Sequence, residues 1–289
     1  MKILMSHLPL SNWWGKGTPV YENNWSMTLG KIPDADITKT EHAAVVNAVK
    51  KNSDLLYIPF PNNLDTKKIY KHDAVFVRDS FISNQKGDIV MSNYAAKERQ
   101  KETQHLRKFL LENNYTVHDL SENAYAEGGE FYYVAKQNLL FAGNSRNNKK
   151  GITETAKYLS VTTLFIVKSK AYHLDTVLTI ILDKTGNLAG IIACLALIQS
   201  SKELKKFAKS LDIPLIDILP NDAIDTDGMG KIAVNCLPLP GVLIGGGTFD
   251  TPGVETKIRL MKIKHIINPV TQFHLSGGGT HCLTNELLL

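Results

Sequence analysis

Cysteine is scarce in this chain. Its 289 residues include three cysteines, Cys194, Cys236 and Cys282. An odd number without a Cys-x-x-Cys spacing argues against a disulfide framework and against a zinc ribbon. We therefore expect a protein of a reducing compartment. Cys194 and Cys236 lie in apolar segments and are predicted to be core residues.

Long hydrophobic runs are also missing. The most extended apolar run, LAGIIACLALI at 188–198, is about half of the ~20 residues that a membrane-spanning helix requires. The N-terminal segment MKILMSHLPL lacks the apolar core and the small-residue cleavage site of a secretory signal. These absences predict a cytoplasmic protein that has no membrane partner.

Concentrated positive charge is absent as well. The formal net charge of +5 is spread thinly, and the densest basic clusters lie at 146–151 and 202–209. The first is a turn rich in glycine and asparagine, and the second is a solvated helix face. We therefore predict no nucleic-acid partner. With 43% hydrophobic and 21% charged residues, the composition is typical of globular proteins and leaves room for one large domain or two small ones.

What the sequence does contain is a repeat. Short β-rich runs alternate with amphipathic helical segments in the order strand, strand, helix, strand. Four copies begin near residues 74, 131, 177 and 231, at steps of roughly 46 to 57 residues, and such a period is typical of repeat arrays and propellers. The predicted first strands are AVFVRD at 74–79, FYYVA at 131–135, TVLTIIL at 176–182 and KIAVNCL at 231–237.

A fifth copy can be completed only across the two ends of the chain. It would combine strands at 281–289 and 1–5, a helix at 39–52 and a strand at 55–60. A ring closed in this way leaves no unpaired terminal unit. The pattern predicts an α/β fold, a five-bladed α/β propeller of ββαβ units, in a single domain over 1–289. The alternative is a doubly wound α/β sheet without symmetry.

Residues 6–36 have no periodicity. This segment is rich in glycine, proline and asparagine, and it contains Trp13, Trp14 and Trp25. Long loops inside compact chains are usually functional or disordered, and three tryptophans argue against disorder. We therefore predict that 6–36 forms a lid over the functional site.

Polar residues flank the first strands of the predicted units. Equivalent positions in a ring converge on one axis, so we expect these residues to meet at one end of the central channel. They are Asp73, Arg78 and Asp79 in unit one, Glu127 in unit two, His173 and Asp175 in unit three, and Cys282 in the closing unit. The glycines of GGGTHC at 277–282 would let the backbone approach a substrate closely. Taken singly, each has an ordinary alternative: a small buried cysteine, a chance His-x-Asp, a glycine turn.

Four of these segments resemble the signature segments of the pentein superfamily of guanidine-modifying enzymes. They are VFVRD, EGGE, HLDTVLTIIL and GGGTHCLT, and YENNWSM at 21–27 is similar to the family's N-terminal loop. The superfamily includes arginine deiminase, dimethylarginine dimethylaminohydrolase, agmatine deiminase and amidinotransferases. Its fold is a five-bladed ring of ββαβ units, which agrees with the repeat. The resemblance implies hydrolysis of arginine or an N-omega-methylated arginine to citrulline plus an amine or ammonia, without a metal or other cofactor.

The resemblance also implies roles for individual residues. Cys282 matches the nucleophile, His173 the general acid/base, and Glu127 the carboxylate of the triad. Asp79 and Asp175 match the pair that binds the guanidinium. The remaining matches are Arg99 and Arg146, which commonly hold the α-carboxylate of the substrate, and Asp73, an extra acid seen in the dimethylarginine hydrolases.

The implied chemistry explains why these residue types are needed. A guanidinium is planar and positively charged, so paired carboxylates can bind it through two parallel hydrogen bonds. Its carbon is a poor electrophile, so a strong nucleophile is needed to attack it. A thiolate is a strong nucleophile, and a cationic His173 together with the bound cation would favour it over the thiol. His173 would then protonate the departing amine and later activate the water that releases Cys282.

Some positions depart from the family pattern and leave alternatives open. Glu130 stands where the family usually has Asp. Arg78 is typical of arginine deiminases, whereas Asp73 and the chain length favour the dimethylarginine type. Asp79 argues against the related enzymes that remove both nitrogens, which have Asn there.

Other reactions and other functions also remain as alternatives. Within the same fold they are an amidinotransferase and an agmatine-type deiminase. Outside it they are a cysteine peptidase and a non-catalytic five-bladed binding protein. The expected partner is a small guanidine compound, and a homodimer is one alternative for the assembly.

Overall fold

The fold is built from five small sheets of three strands each. The structure is a computed structural model that describes residues 1–10, 25–66, 69–223 and 231–288. In every sheet the first and second strands are antiparallel, and the third strand runs parallel to the second. A helix connects the second strand to the third, as a parallel crossover requires. The predicted order strand, strand, helix, strand therefore recurs five times.

The first three units lie in the middle of the chain. Unit one contains strands Phe81–Ser83 and Asp88–Met91, helix Gln104–Glu112 and strand Thr116–His118. Unit two contains strands Phe131–Val134 and Leu139–Gly143, helix Lys149–Tyr158 and strand Thr163–Val167. Unit three contains strands Leu178–Leu182 and Leu188–Ala193, helix Ser201–Ser210 and strand Leu215–Asp217.

The last two units lie at the ends of the chain. Unit four contains strands Leu237–Leu239 and Val242–Gly245, helix Val254–Leu260 and strand Lys264–Ile267. Unit five contains strands Asn285–Leu287 and Lys2–Ser6, helix Ala35–Asn52 and strand Asp54–Ile58. The described residues also form short helices at Trp25–Thr28 and Thr271–His274 and a small hairpin of Asp65–Thr66 with Ile69–Tyr70. Leu4 pairs with Asn285, so the fifth unit does join the two ends of the chain as predicted.

The core lies between the sheets and their helices. Leu178, Ile181, Ile191 and Ile192 are completely buried in the paired strands of unit three. Their burial removes apolar surface from water, which is the main stabilising contribution to such a fold. Cys194 and Cys236 are also completely buried, which confirms that both are core residues.

The predicted first strands of units one and four are wrong in position. Residues 74–79 form parts of two 3₁₀ turns, His72–Val75 and Val77–Ser80, and the strand begins at Phe81. In unit four the strand begins at Leu237. The apolar residues of these segments are buried inside turns, and a short apolar run does not by itself distinguish a turn from a strand.

The charge and leucine spacing of residues 97–114 predicts a helix over this whole segment, but the helix in the structure is shorter. A 3₁₀ turn covers Lys97–Arg99, and the helix runs from Gln104 to Glu112. The side chains of Arg99 and Glu102 are buried in the segment before this helix. The 3₁₀ turn and the residues that follow it stand where the first turns of the predicted helix would be.

Part of the predicted lid, residues 11–24, lies outside the described residues. This part includes Trp13 and Trp14, so the lid stays a prediction. Of the remainder, Ser6 belongs to a strand, and Asp34 begins helix Ala35–Asn52 by accepting hydrogen bonds from the N–H groups of Asp36 and Ile37. Within the described part of the chain, no helix has both the length and the apolar character needed to cross a bilayer.

Candidate active site

The candidate site is built from the turns that precede the first strands. Asp79 lies in turn Val77–Ser80, Glu127 directly precedes turn Gly128–Glu130, and His173 directly precedes turn Leu174–Thr176. The N–H of Arg78 donates to the carbonyl of Cys282 over 3.2 Å, which joins unit one to the turn carrying the thiol. Because the first strand of unit one begins later than predicted, Asp79 lies in a turn before that strand.

The two glycines of the EGG segment allow these turns to touch. A Cβ atom on Gly128 would overlap the carbonyl oxygen of Arg78. A Cβ atom on Gly129 would lie 2.6 Å from Asp79 Oδ1 and 2.7 Å from His173 Nδ1. Only glycine leaves room for Asp79 and His173 to approach each other here.

His173 lies between two carboxylates. Its Nε2 is 2.9 Å from Glu127 Oε2, and its Nδ1 is 3.5 Å from Asp79 Oδ1. Burial alone would lower the pKa of His173, but the negative charges of Asp79 and Glu127 outweigh it and raise the pKa to about 9. His173 is therefore a cation at neutral pH, and its charge lowers the pKa of Glu127 against the effect of burial.

Cys282 is a buried thiol in a negatively charged pocket. Its Sγ lies 3.3 Å from Asn235 Nδ2 and 3.6 Å from Asp175 Oδ2. Burial, and then the charges of Asp175 and Asp79, raise the pKa of Cys282 well above its usual value. In this environment the sulfur is protonated, and a bound cation would lower its pKa.

Asp175 lies beneath Cys282 and is completely buried. Its Oδ2 is 2.8 Å from Nδ1 of His281. Oδ1 has no hydrogen-bond partner among the described residues. Burial, and then the neighbouring charge of Asp79, raise the pKa of Asp175 to about 7 although His173 opposes the shift. Within the described part of the chain, this carboxylate is therefore only partly satisfied by hydrogen bonds.

Arg99 does not face an open carboxylate-binding position in this structure. Its Nη1 donates to Asp79 Oδ2 over 2.6 Å, and its Nε donates to Glu102 Oε2 over 3.1 Å. Its Nε is 4.0 Å from Asp73 Oδ2, and its guanidinium lies 4.5 Å from the ring centre of Tyr94. The arginine predicted to hold an α-carboxylate is thus paired with the aspartate predicted to hold a guanidinium.

Arg146 lies at the side of the site. Its guanidinium stacks 4.1 Å above the ring of Tyr172, the residue before His173. Glu130 connects this loop to the His173 turn, because it accepts hydrogen bonds from Ser145 Oγ over 2.6 Å and from the N–H of Leu174 over 2.9 Å. Gly143 leaves room for this longer acid, since a Cβ atom there would overlap Glu130 Oε2.

One small cavity connects most of these residues. It has room for about one water molecule. Its lining includes Asp73, Asp79, Arg99, His173 and Cys282, with Phe76, Tyr172 and the backbone of 276–278. Glu127 lies behind His173 and Asp175 behind Cys282, while Arg146 reaches the site through Tyr172. The structure thus brings the predicted site residues together.

The three glycines at 277–279 also have a role within the protein, in addition to the predicted approach of the backbone to a substrate. A Cβ atom on Gly278 would overlap the ring of Phe76, and one on Gly279 would lie 2.6 Å from Asn235 Oδ1. Gly277 has a φ of +78°, which favours glycine. Two of the three glycines therefore make room for side chains of the protein itself.

Two site residues were missed by sequence reasoning. Asn235 and His281 are completely buried and contact Cys282 or Asp175. Asn235 stands just before the first strand of unit four, the same position that holds the predicted polar residues of the other units. The repeat itself was the signal that could have identified it.

Arg78 faces away from the Cys282 cavity. Its Nη1 forms an ion pair with Glu286, and it lines a second, mostly apolar cavity with Phe131 and Tyr132. Its side chain therefore does not touch the position where a guanidine substrate would bind. Among the described residues, no group of three His, Cys, Asp or Glu side chains is arranged to hold a metal ion.

Comparison with known proteins adds a family and a set of similar structures. A sequence model of the family described as N,N-dimethylarginine dimethylhydrolase, eukaryotic, matches residues 21–289. No curated protein sequence matches the chain. Among solved structures, AgrE in complex with ornithine and NAD⁺ is 20% identical with a TM-score of 0.82, over 99% of this chain and 39% of that one.

Two further structures match over nearly their whole length. The N-terminal domain of ArgZ, described as an arginine dihydrolase from cyanobacteria, is 19% identical with a TM-score of 0.80, over 98% of this chain and 96% of that one. A dimethylarginine dimethylaminohydrolase carrying an S-methyl-L-thiocitrulline adduct is 17% identical with a TM-score of 0.74, over 99% of both chains. At these identities the likeness shows a shared fold.

Proposed function

Because the chain belongs to the family of eukaryotic N,N-dimethylarginine dimethylhydrolases, we propose that it hydrolyses the guanidinium group of an arginine-type amino acid through a covalent intermediate on Cys282. The observation that carries this proposal is a thiol that shares one cavity with Asp79 and a cationic His173 and lies 3.6 Å from the buried carboxylate of Asp175. A neutral peptide carbonyl would need no such pair of acids. We further propose that 1–289 is one catalytic domain whose five sheets close into a propeller.

The substrate guanidinium would bind between Asp79 and Asp175. Both aspartates are buried, so a planar cation that bonds to both would compensate two charges that water does not reach. Arg99 donates a hydrogen bond to Asp79 Oδ2. For Arg99 to bind the α-carboxylate, it would release Asp79 as the substrate guanidinium takes its place.

The bound cation would then promote formation of the thiolate. The negative charges of Asp175 and Asp79 help to raise the pKa of Cys282, and a guanidinium between them would offset those charges. The thiolate attacks the guanidinium carbon and forms a tetrahedral adduct. His173, which is already protonated, donates its proton to the departing amine and leaves an amidino thioether on Cys282.

The second half of the reaction uses the same histidine in the opposite sense. Neutral His173 accepts a proton from a water molecule that attacks the thioether carbon, and the C–S bond breaks to release citrulline and Cys282. Glu127, 2.9 Å from Nε2, holds the ring in place and stabilises its cationic form. The thiol proton of Cys282 is lost to solvent when the cationic substrate binds, and the hydroxyl proton of the second tetrahedral adduct returns the sulfur to its thiol form as the C–S bond breaks.

The leaving group is best assigned as a methylated amine. The family match and the position of Asp73 beside Arg99 both support the dimethylarginine type. Arg78 was the residue that favoured a deiminase, but it faces the second cavity instead. Arg146 beside Tyr172 favours an α-amino acid over agmatine, because agmatine lacks a carboxylate.

The proposal is tested by incubating the protein with arginine, asymmetric dimethylarginine and agmatine and measuring citrulline, carbamoylputrescine, ammonia and dimethylamine. We expect citrulline with dimethylamine from the methylated substrate, and an adduct on Cys282 by mass spectrometry of quenched reactions. Cys282→Ser is the matched control. If the native protein turns over none of the three compounds and forms no adduct, the proposal is wrong.

A further inference from the structure

The turn before the first strand of unit four carries a buried amide that contacts the candidate nucleophile directly. Asn235 Nδ2 is 3.3 Å from Cys282 Sγ and donates to the carbonyl of Asp175 over 3.0 Å. Its Oδ1 accepts from the N–H of His281 over 2.8 Å and from the N–H of Cys282 over 3.3 Å. One side chain of unit four thus contacts units three and five at the sulfur.

These contacts determine which way the amide faces. If its oxygen and nitrogen were exchanged, the amino group would point at two backbone N–H donors and the oxygen at a carbonyl oxygen. Each of those pairs would be repulsive, so the hydrogen-bond network allows one orientation. The Nδ2 donor is therefore directed at Cys282 Sγ.

We propose that Asn235 is a positioning residue that places Cys282 and stabilises its thiolate with a neutral hydrogen-bond donor. The proposal rests on the function proposed above for Cys282. The other side-chain neighbour of the sulfur, Asp175, is a carboxylate, which disfavours the thiolate. The amide opposes that effect without adding a positive charge, and a lysine or arginine there would compete with the substrate for Asp175.

The sequence before Cys282 is adapted to this contact. A Cβ atom on Gly279 would lie 2.6 Å from Asn235 Oδ1 and 3.0 Å from its Cβ. A distance under about 3 Å forces one side to move, so any larger residue at 279 would push the amide off the sulfur. Gly279 and Asn235 therefore form one unit of the site.

The test measures the thiol itself rather than turnover. Iodoacetamide alkylation of Cys282, followed by mass spectrometry across a pH series, gives the apparent pKa of the sulfur in native protein and in Asn235→Ser. We expect the variant to react at least about tenfold more slowly at a fixed pH below that pKa. In steady-state kinetics we expect kcat to fall about tenfold or more, with KM within about threefold.

Asn285→Ser is the matched control. Asn285 is equally buried and donates to the carbonyls of Val77, Arg78 and Phe81, but no hydrogen bond joins it to Cys282 Sγ among the described residues. We expect it to lower Tm while leaving the alkylation profile unchanged. An Asn235→Ser profile that superimposes on the native one would overturn the proposal.

A second variant keeps the proposal testable if Asn235→Ser does not fold. Asn235→Asp retains an acceptor for both backbone N–H groups and replaces the donor by an oxygen, so the same slowing is expected and a native profile would again overturn the proposal. Alkylation does not depend on turnover. A native enzyme that hydrolyses its substrate while Asn235 variants keep the native profile would refute only the role of Asn235.

Discussion

The chain contains two groups of cysteine, histidine and glutamate, and they differ in what surrounds them. In the candidate site Cys282 accompanies His173 and Glu127. In unit four Cys236 Sγ lies 3.9 Å from His265 Nε2, and His265 Nδ1 lies 3.0 Å from Glu255 Oε2. By residue type alone the second group is as good a triad as the first.

Access and charge separate the two groups. Cys236 is completely buried, donates to the carbonyl of Ala233 over 3.1 Å, and packs so closely that a Cβ atom on Gly245 would lie 2.8 Å from its sulfur. Burial, and then the charge of Glu255, raise the pKa of Cys236, and Cys236 does not line the cavity that contains Cys282. At Cys282 the pKa is raised partly by two aspartates whose charge a cationic substrate would offset. The aspartates and the cavity therefore make Cys282 the candidate nucleophile.

The largest expected difference between the two groups is the loss of the thiol. Cys282→Ser should lower kcat by at least about a thousandfold, because a hydroxyl is a far weaker nucleophile at neutral pH. Cys236→Ser should change kcat by less than about twofold. Steady-state kinetics and intact mass spectrometry test this, and a substrate-derived adduct on Cys236 or Cys194 would contradict the assignment.

The acids should show the next largest difference. Asp79→Asn and Asp175→Asn each remove one carboxylate of the guanidinium site, and breaking such a buried pair costs about 3–5 kcal/mol, so kcat/KM should fall on the order of a hundredfold or more. Glu255→Gln, which changes the carboxylate of the other group, should leave kcat/KM unchanged. Near-normal kinetics in both aspartate variants, with only Tm lowered, would end the guanidinium hypothesis.

The change of kcat/KM with pH should be a smaller effect than these losses, and it should depend only on groups of the candidate site. Binding needs an ionised Asp175, with a pKa of about 7, and catalysis needs a protonated His173, with a pKa of about 9. The profile of kcat/KM should therefore be bell-shaped and fall about tenfold for each pH unit beyond either limb. In Asp79→Asn the alkaline limb should move to lower pH, because the charge of Asp79 is the main one that raises the pKa of His173. An alkaline limb that does not move would contradict that electrostatic assignment.

The smallest expected effect concerns the α-carboxylate of the substrate. Arg146→Ala and Arg99→Ala should raise KM for α-amino acid substrates by about tenfold while sparing agmatine-like compounds. Arg107→Ala is the control, because its ion pair with Asp119 is exposed. Equal losses for agmatine and amino acid substrates would exclude carboxylate recognition by Arg146.

Much of the candidate site could be predicted from the sequence because equivalent positions of the repeated units lie close together in the fold. Glu127, His173 and Cys282 stand before first strands in the sequence and lie in the corresponding turns of the structure. The family match over residues 21–289 confirms the resemblance to the dimethylarginine hydrolases, and the arginine-type hydrolase function stays a proposal. The prediction for 74–79 was wrong because local apolar pattern does not reveal that backbone N–H groups bond within a turn, as that of Asp79 does to Phe76.

By itself the sequence determined the order of elements in the units and the residue types at their turns, since hydrophobic period and glycine placement are local properties. Only the tertiary structure decided which cysteine has a cavity, which acids share it, and where Arg78, Arg99 and Asn235 point. Those outcomes depend on side chains from different units meeting, as when Asn235 reaches Cys282 across 47 residues. Distances between such groups are set by packing of the whole chain, and no single segment contains them.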